Sequence, residues 1–303
     1  RATGRTGRRG VIWARVMMRV SLISFAARRH AGRAVLSAMR SADPRPALGA
    51  ELDDDLAPAG VFLGRQAITV LLQRAAQDRP ARRLERLRGG LIVSCQAYPG
   101  EAMRDPRTMA QVADAAVVGG AAGIRVQGID DIRAVAALPV PIIGLWKDGD
   151  ADVFITPTLE HAVAVADAGA DIVAIDGTRR PRPDGRTLAE TIVGLRAHSD
   201  ALIMADCGSL DDALAAEAAG ADILGTTLSG YTGERPKTDG PDYEVIEALV
   251  KKLDGGRPVI AEGRIHAPDQ ARRAMDLGAH AVVVGTAITH PTSITRWFCD
   301  ALR

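Results

Sequence analysis

From Gly90 onward the chain repeats one pattern of apolar and polar positions. A stretch with apolar residues three and four apart runs to a glycine, one or two small or charged residues follow, and an apolar run then closes on a polar residue. The unit is plainest in Ala162–Asp176 (AVAVADAGADIVAID), Asp212–Thr226 (DALAAEAAGADILGT) and Gln270–Gly285 (QARRAMDLGAHAVVVG). Gly169, Gly220 and Gly278 stand where a helix stops and the backbone needs a left-handed residue. The apolar runs lack the period-two alternation of a half-exposed strand, as expected of parallel strands covered on both faces. Repeated helix–glycine–strand units predict parallel strands joined by right-handed crossovers.

Eight such runs can be marked: Gly90–Gln96, Gly123–Gln127, Pro141–Lys147, Ile172–Asp176, Ala201–Asp206, Ile223–Thr226, Pro258–Glu262 and Ala281–Gly285. Helical patterns separate them, and the last helix is predicted over Ser293–Leu302. Eight strands in roughly two hundred residues is the size of an α/β TIM (β/α)8 barrel. The rival, a doubly wound open sheet, carries a glycine-rich dinucleotide fingerprint after its first strand. Here Ala97-Tyr98-Pro99-Gly100-Glu101 stands in that place. The expectation is therefore a catalytic barrel over 78–303 preceded by an extension over 1–77.

Composition changes the picture mainly at the N-terminus. The whole chain is 47% hydrophobic and 25% charged, as in a globular protein, with a formal net charge of +1 that points to no nucleic-acid partner. Residues 1–40 nevertheless carry ten arginines and no acidic residue. The apolar run Val11–Ala27 is broken by Arg15 and Arg19, which makes it too short and too charged for a bilayer span or a secretory core. Such a start resembles an organellar transit peptide and equally fits an upstream stretch read from GC-rich DNA. The chain does not begin with Met, and Met17, Met18 and Met39 are internal candidates for a start. Residues 41–77 hold Pro44, Pro46, the acidic run Asp53–Asp55 and an apolar stretch, Ala67–Ala76, which suits one amphipathic helix without strand partners. The extension is expected to be poorly ordered and without function. Cys95, Cys207 and Cys299 are odd in number and widely spaced, which suits neither a disulfide framework nor a metal site, and the natural reading is a cytoplasmic protein.

In a TIM barrel the strand carboxyl ends form the active site. Collected there are Gln96, Arg125 and Gln127, Lys147, Asp176, Asp206, Thr226 and Thr227, Glu262, and Gly285-Thr286. A polar residue at a strand end often only starts a solvated loop, an alternative that stands evenly against a functional role for Gln127 or Thr227 alone, and capping of the next loop is the alternative for Asp176. Cys95 and Cys207 read as small buried side chains. Lys147 follows the apolar run Ile142–Trp146, so its stem is expected against apolar walls, where partial burial moves an amine toward neutrality and makes it a usable base or Schiff-base former. Glu262 follows Val259-Ile260-Ala261 in the same way. Gly263, Arg264, Gly285 and Thr286, after strands seven and eight, suit the recurring phosphate cradle of this fold.

Several of these strings, in register from about Leu84 to the C-terminus, closely resemble N-acetylmannosamine-6-phosphate 2-epimerases. They are Gly90–Ala97, Ile142–Lys147, Ala174–Thr178 with Arg180-Pro181, Ala205–Cys207, Gly225–Thr232, Ile260–Arg264 and Val284–Thr289. The resemblance implies interconversion of N-acetylmannosamine 6-phosphate and N-acetylglucosamine 6-phosphate in sialic acid breakdown, without redox cofactor or metal, and relatives suggest a homodimer. It assigns to Lys147 the C2 proton and to Glu262 an assisting role through the sugar hydroxyls. Gln96, Arg125, Asp206 and Thr227 would hold the open-chain sugar. Two departures stand out: His290 occupies a position where many relatives carry a substrate-holding Arg, and Gly208-Ser209-Leu210 replaces a Ser-Thr pattern. A Schiff-base aldolase or lyase, and a non-catalytic sugar-phosphate-binding barrel, are the competing readings.

Overall fold

The computed structural model describes residues 79–303 apart from Asp254. The expectations for 1–77, including the Arg-rich start and the Ala67–Ala76 helix, lie outside those residues. The described chain runs α1 (Arg79–Leu87), β1 (Leu91–Cys95), α2 (Pro106–Val118), β2 (Gly123–Gln127), α3 (Ile129–Val135), β3 (Ile142–Leu145), α4 (Leu159–Asp167) and β4 (Ile172–Asp176). It continues with α5 (Leu188–His198), β5 (Leu202–Asp206), α6 (Leu210–Ala218), β6 (Ile223–Gly225), α7 (Tyr243–Leu253), β7 (Val259–Glu262), α8 (Pro268–Asp276), β8 (Ala281–Val284), α9 (Thr286–Thr289) and α10 (Pro291–Ala301). The eight strands are parallel and close in sequence order, β8 pairing with β1. This is the predicted TIM barrel, and closure excludes the open sheet.

The repeat unit has a local physical basis. Gly169, Gly220 and Gly278 take φ of 109°, 100° and 97°, values that suit a residue without Cβ. The acidic residue two positions later caps the neighbouring strand: Ile142 N–H donates to Asp171 Oδ2 at 3.0 Å and Ile203 N–H to Asp222 Oδ2 at 2.9 Å. The first two units thus both turn their chain and staple the bottom of the barrel, whereas in the third His280 stands at that position and its Nε2 pairs with Leu84 O at 3.0 Å.

Side-chain parity divides the interior into two apolar regions. Ile92, Ile143, Leu145, Ile172, Ala174, Leu202, Met204, Ile223, Ile260 and Val283 pack together inside the barrel. Their alternates, such as Val93, Ile124, Val126, Val173, Ile175, Ile203 and Leu224, pack outward against the helices. This explains why the strands read as continuous apolar runs. Helix α1 was not anticipated, because RPARRLERL is mostly charge. Its Leu87 is fully buried in the inner cluster and closes the barrel floor, a burial that contributes about 2 kcal/mol.

The top of β3 departs from the expected strand. Regular pairing stops at Leu145, and residues 146–156 fold back as a narrow hairpin in which Lys147 bridges Ile155 in antiparallel fashion. Thr156 N–H donates to Trp146 O at 2.7 Å, Asp148 N–H to Phe154 O at 3.0 Å and Asp176 N–H to Ile155 O at 3.0 Å. The hairpin therefore slots between the tops of β3 and β4 and holds the Lys147 backbone on both sides. Among the described residues no helix is long and apolar enough to cross a membrane. Helix α10 has no buried residue, and Phe298 is 70% exposed.

Candidate active site

Inward parity continues upward past the apolar layer. Above Ile143 and Leu145 comes Lys147, above Ala174 comes Asp176, above Met204 comes Asp206, and above Ile260 comes Glu262. The same alternation that builds the inner core therefore delivers the polar rim residues to one space. A cavity of about 570 Å³ opens there. Of the residues expected from sequence, Gln96, Lys147, Thr227, Glu262, Gly263, Arg264, Gly285 and Thr286 line it, whereas Arg125 and Asp206 do not.

Arg125 and Asp206 form the floor beneath it. The Arg125 side chain is 1% exposed and grips Asp206 in a two-pronged ion pair, with N–O distances of 3.2 and 2.6 Å. A second carboxylate, Glu262, lies 3.4 Å from the same guanidinium. Thr227 Oγ1 sits 2.7 Å from Asp206 Oδ1 and 3.1 Å from Glu262 Oε2, so its single proton is shared between the two acids. Arg125 thus turns both terminal nitrogens to protein carboxylates, while its Nε is buried without a partner. Its geometry suits orienting Glu262 from below. Burial pushes the Glu262 carboxyl upward from its ordinary value, against the pull of Arg125. Its backbone is fixed as well: Glu262 N–H donates to Thr226 Oγ1 at 3.0 Å, and Thr226 Oγ1–H donates to Glu262 O at 2.8 Å.

Lys147 is held differently. Among the described residues its amine makes no hydrogen bond and no ion pair. Burial first, then the nearby Arg125 cation, lowers its pKa from the ordinary lysine value, while Glu262 and Asp206 pull the other way. An uncommitted amine poised in this way at a cavity wall is suited to accept a proton. Gln96 donates from Nε2 to Ser94 Oγ at 2.8 Å and leaves its other amide end buried and unpartnered. That end is the acceptor Oε1, and the second Nε2–H is the donor left for a ligand.

At the opposite wall, the backbone N–H groups of Gly263, Arg264, Gly285 and Thr286 find no protein acceptor among the described residues. Gly263 and Arg264 are both left-handed, with φ of 113° and 55°; the second costs a non-glycine residue roughly 1 kcal/mol. Consecutive free amides from two adjacent strand ends make an anion cradle. The Arg264 guanidinium is used elsewhere. It donates to Gly240 O at 2.9 Å, Ser229 O at 2.7 Å and Thr238 Oγ1 at 3.0 Å, pinning the β6–α7 loop that carries Thr227, Leu228 and Tyr231 into the cavity. The contribution of Arg264 to the cradle is therefore its backbone amide, its guanidinium being engaged by Ser229, Thr238 and Gly240.

Sequence reasoning left out Arg180 and Tyr98 as site residues. Arg180 lines the cavity from the β4 end, clamped by Asp176 at 2.9 Å and Thr178 at 3.0 Å. Arg180 belongs to one of the strings that carry the family resemblance, yet an arginine four residues past a strand carries no signal that it folds back over its own Asp. Cys95 and Cys207 are buried as expected, and burial pushes the Cys95 thiol up to about 12, far from nucleophile range.

A parallel barrel with an uncommitted base and an oriented carboxyl facing an anion cradle belongs to the class of metabolic enzymes that move protons on phosphorylated carbonyl compounds. Comparison with known proteins narrows the class. The profile of the family described as "Putative N-acetylmannosamine-6-phosphate epimerase" matches residues 109–303. A protein of Cutibacterium acnes described as "Putative N-acetylmannosamine-6-phosphate 2-epimerase" is 71% identical over 216 residues, which is 71% of this chain and 94% of that protein. A relative of the same description from Caldanaerobacter subterraneus is 47% identical over 225 residues, covering 73% of this chain and 94% of that one. The solved structure of the N-acetylmannosamine-6-phosphate 2-epimerase from Clostridium perfringens superposes with a TM-score of 0.69 at 39% identity, over 72% of this chain and 95% of that chain. The chain belongs to the N-acetylmannosamine-6-phosphate 2-epimerase family.

Proposed function

We infer that this chain is an isomerase that interconverts N-acetylmannosamine 6-phosphate and N-acetylglucosamine 6-phosphate by moving the proton at C2. The observation that carries the mechanism is Lys147, an amine with no hydrogen-bond or ion-pair partner among the described residues, facing four unpaired backbone amides across one cavity. The phosphate sits on the amides of Gly263, Arg264, Gly285 and Thr286, and the open-chain sugar reaches toward Lys147. The C1 aldehyde makes the C2 hydrogen acidic. Lys147 Nζ takes that proton as the C–H electron pair moves into the C1–C2 bond and the carbonyl π pair onto O1. The second Nε2–H of Gln96 and the Nη1 of Arg180 offer donors to the developing oxyanion. The carbon is then planar, and return of the proton to the other face yields the epimer. Glu262, oriented by Arg125 and Thr227, steers the sugar hydroxyls while the carbon chain turns. Asp206 acts through Arg125 and Thr227.

Incubation of N-acetylmannosamine 6-phosphate with the protein in D2O, followed by NMR, should show deuterium at C2 of both epimers as the gluco form appears. Turnover without label would sink proton transfer with solvent-exchanging Lys147. Borohydride added during turnover should leave no reduced lysine adduct, since no Schiff base forms.

We also propose that 78–303 is the catalytic domain and that 1–77 adds nothing to the reaction. A chain beginning at Asp78 should retain kcat/KM within about two-fold; a loss of ten-fold or more would give 1–77 a part in the site. A homodimer is supported by the exposed Phe298 and Leu302 on and beside α10, which a second subunit could cover.

A further inference from the structure

The loop after β1 is closed on itself. Tyr98 N–H donates to Glu101 Oε2 at 2.7 Å, and Glu101 N–H donates back to Tyr98 O at 3.1 Å. The other Glu101 oxygen accepts from His290 Nε2–H. His290 Nδ1 accepts from Ser293 Oγ at 2.8 Å and from Ser293 N–H at 3.3 Å, which places the ring proton on Nε2. The His290 ring then meets the Tyr98 ring edge-on, with centroids 5.7 Å apart and planes at 79°. Tyr98 is in this way held by its backbone from one side and by an imidazole from the other. Its ring lines the cavity, and Lys147 Nζ lies over it, 5.4 Å from the centroid.

We propose that Tyr98, fixed by the Glu101–His290 pair, is a positioning residue for Lys147, its π face cradling the ammonium that exists only after the C2 proton has been taken. The inference rests on Lys147 being the base. A neutral amine gains little from a ring quadrupole, whereas an ammonium within about 6 Å of a centroid gains roughly 0.4–0.7 pH unit of stabilisation. The contact therefore strengthens along the reaction coordinate. Other charged groups also face the amine: Arg125 from β2, Asp206 from β5, Glu262 from β7 and Arg104 from the β1–α2 loop, with Arg180 on the same cavity from β4. None is within hydrogen-bonding or ion-pairing reach, and the ring is the cation-binding surface that lies directly against it. The same geometry gives His290 its purpose. Both its nitrogens are committed to Glu101 and Ser293, so the imidazole braces an aromatic platform.

The test is the pH profile of C2 exchange for wild type, Tyr98→Phe and Tyr98→Leu. Exchange needs the neutral amine, so the acid limb of kcat/KM reports loss of the Lys147 proton. Tyr98→Leu keeps apolar cover and removes the π face. Its limb should move to lower pH by roughly half a unit, and kcat should fall about two- to five-fold with little change in KM. Tyr98→Phe keeps the ring and should hold the wild-type limb. A Leu limb that stays in place or moves upward would overturn the proposal, as would equal shifts in both variants, which would point to the hydroxyl. Lys147→Ala separates this from failure of the underlying reading: if that variant still exchanged C2–H, the base would be another group and the Tyr98 profiles would have no bearing on it.

Discussion

Lys147→Ala should lower C2–H exchange and epimerisation together, on the order of 10³-fold, while leaving the folded protein intact. The two halves of this expectation have separate grounds. The amine is the group at the cavity that is both basic and uncommitted, and its loss leaves the substrate proton without an acceptor. Because Nζ makes no hydrogen bond or ion pair, its removal strands no buried partner, and the backbone at 147 stays fixed by its bridge to Ile155. Thermal unfolding should therefore shift by only a few degrees. In wild type, kcat/KM should fall toward acid as Lys147 takes up a proton, with a limb below the ordinary lysine range because burial and Arg125 disfavour the ammonium. A variant that keeps exchange near the wild-type rate would remove Lys147 from the mechanism. A variant that loses both exchange and the folded state would remove the claim that its role is chemical.

Arg125→Met should be the most damaging change to the fold at the site. It leaves Asp206, fully buried, and Glu262, 13% exposed, without their shared cation. Breaking a buried ion pair from one side costs roughly 3–5 kcal/mol, which for a chain of this size lowers Tm by on the order of 10 °C. Arg125→Lys should recover little, because a point charge cannot reproduce the two-pronged grip. Where Arg125→Met remains folded, the acid limb should move to higher pH, since a positive neighbour that lowered the lysine pKa has gone. Adding Asp206→Leu should restore part of the stability and none of the activity. A double variant no more stable than Arg125→Met alone would mean that the ion pair is not what holds the floor together.

These two residues also mark how far the sequence could be read. Lys147 was legible because it closes an apolar run, and that pattern reports burial directly. Glu262 was legible for the same reason. Arg125 was equally visible as a rim residue, but its expected partner was the sugar. Its actual partner is Asp206, three strands away in the barrel and 81 residues later in the chain. Arg264 was legible by its loop position, but not the turn of its guanidinium to Ser229 and Gly240. Tyr98 gave no signal, since an aromatic in a loop shows neither periodicity nor a strand end.

The order of elements, the barrel, the inner and outer apolar layers and the height of Lys147 and Glu262 were determined by the sequence itself. Each follows from local periodicity, turn chemistry and the length of apolar runs, all of which act over a few residues. The pairing of Arg125 with two carboxylates, the strap that fixes Lys147, the turn of Arg264 away from the cradle and the Tyr98 platform were decided by tertiary structure alone. Those depend on which donor meets which acceptor once eight strands close in register and their loops converge. No pattern along the chain records that, because the groups concerned become neighbours only when the barrel shuts.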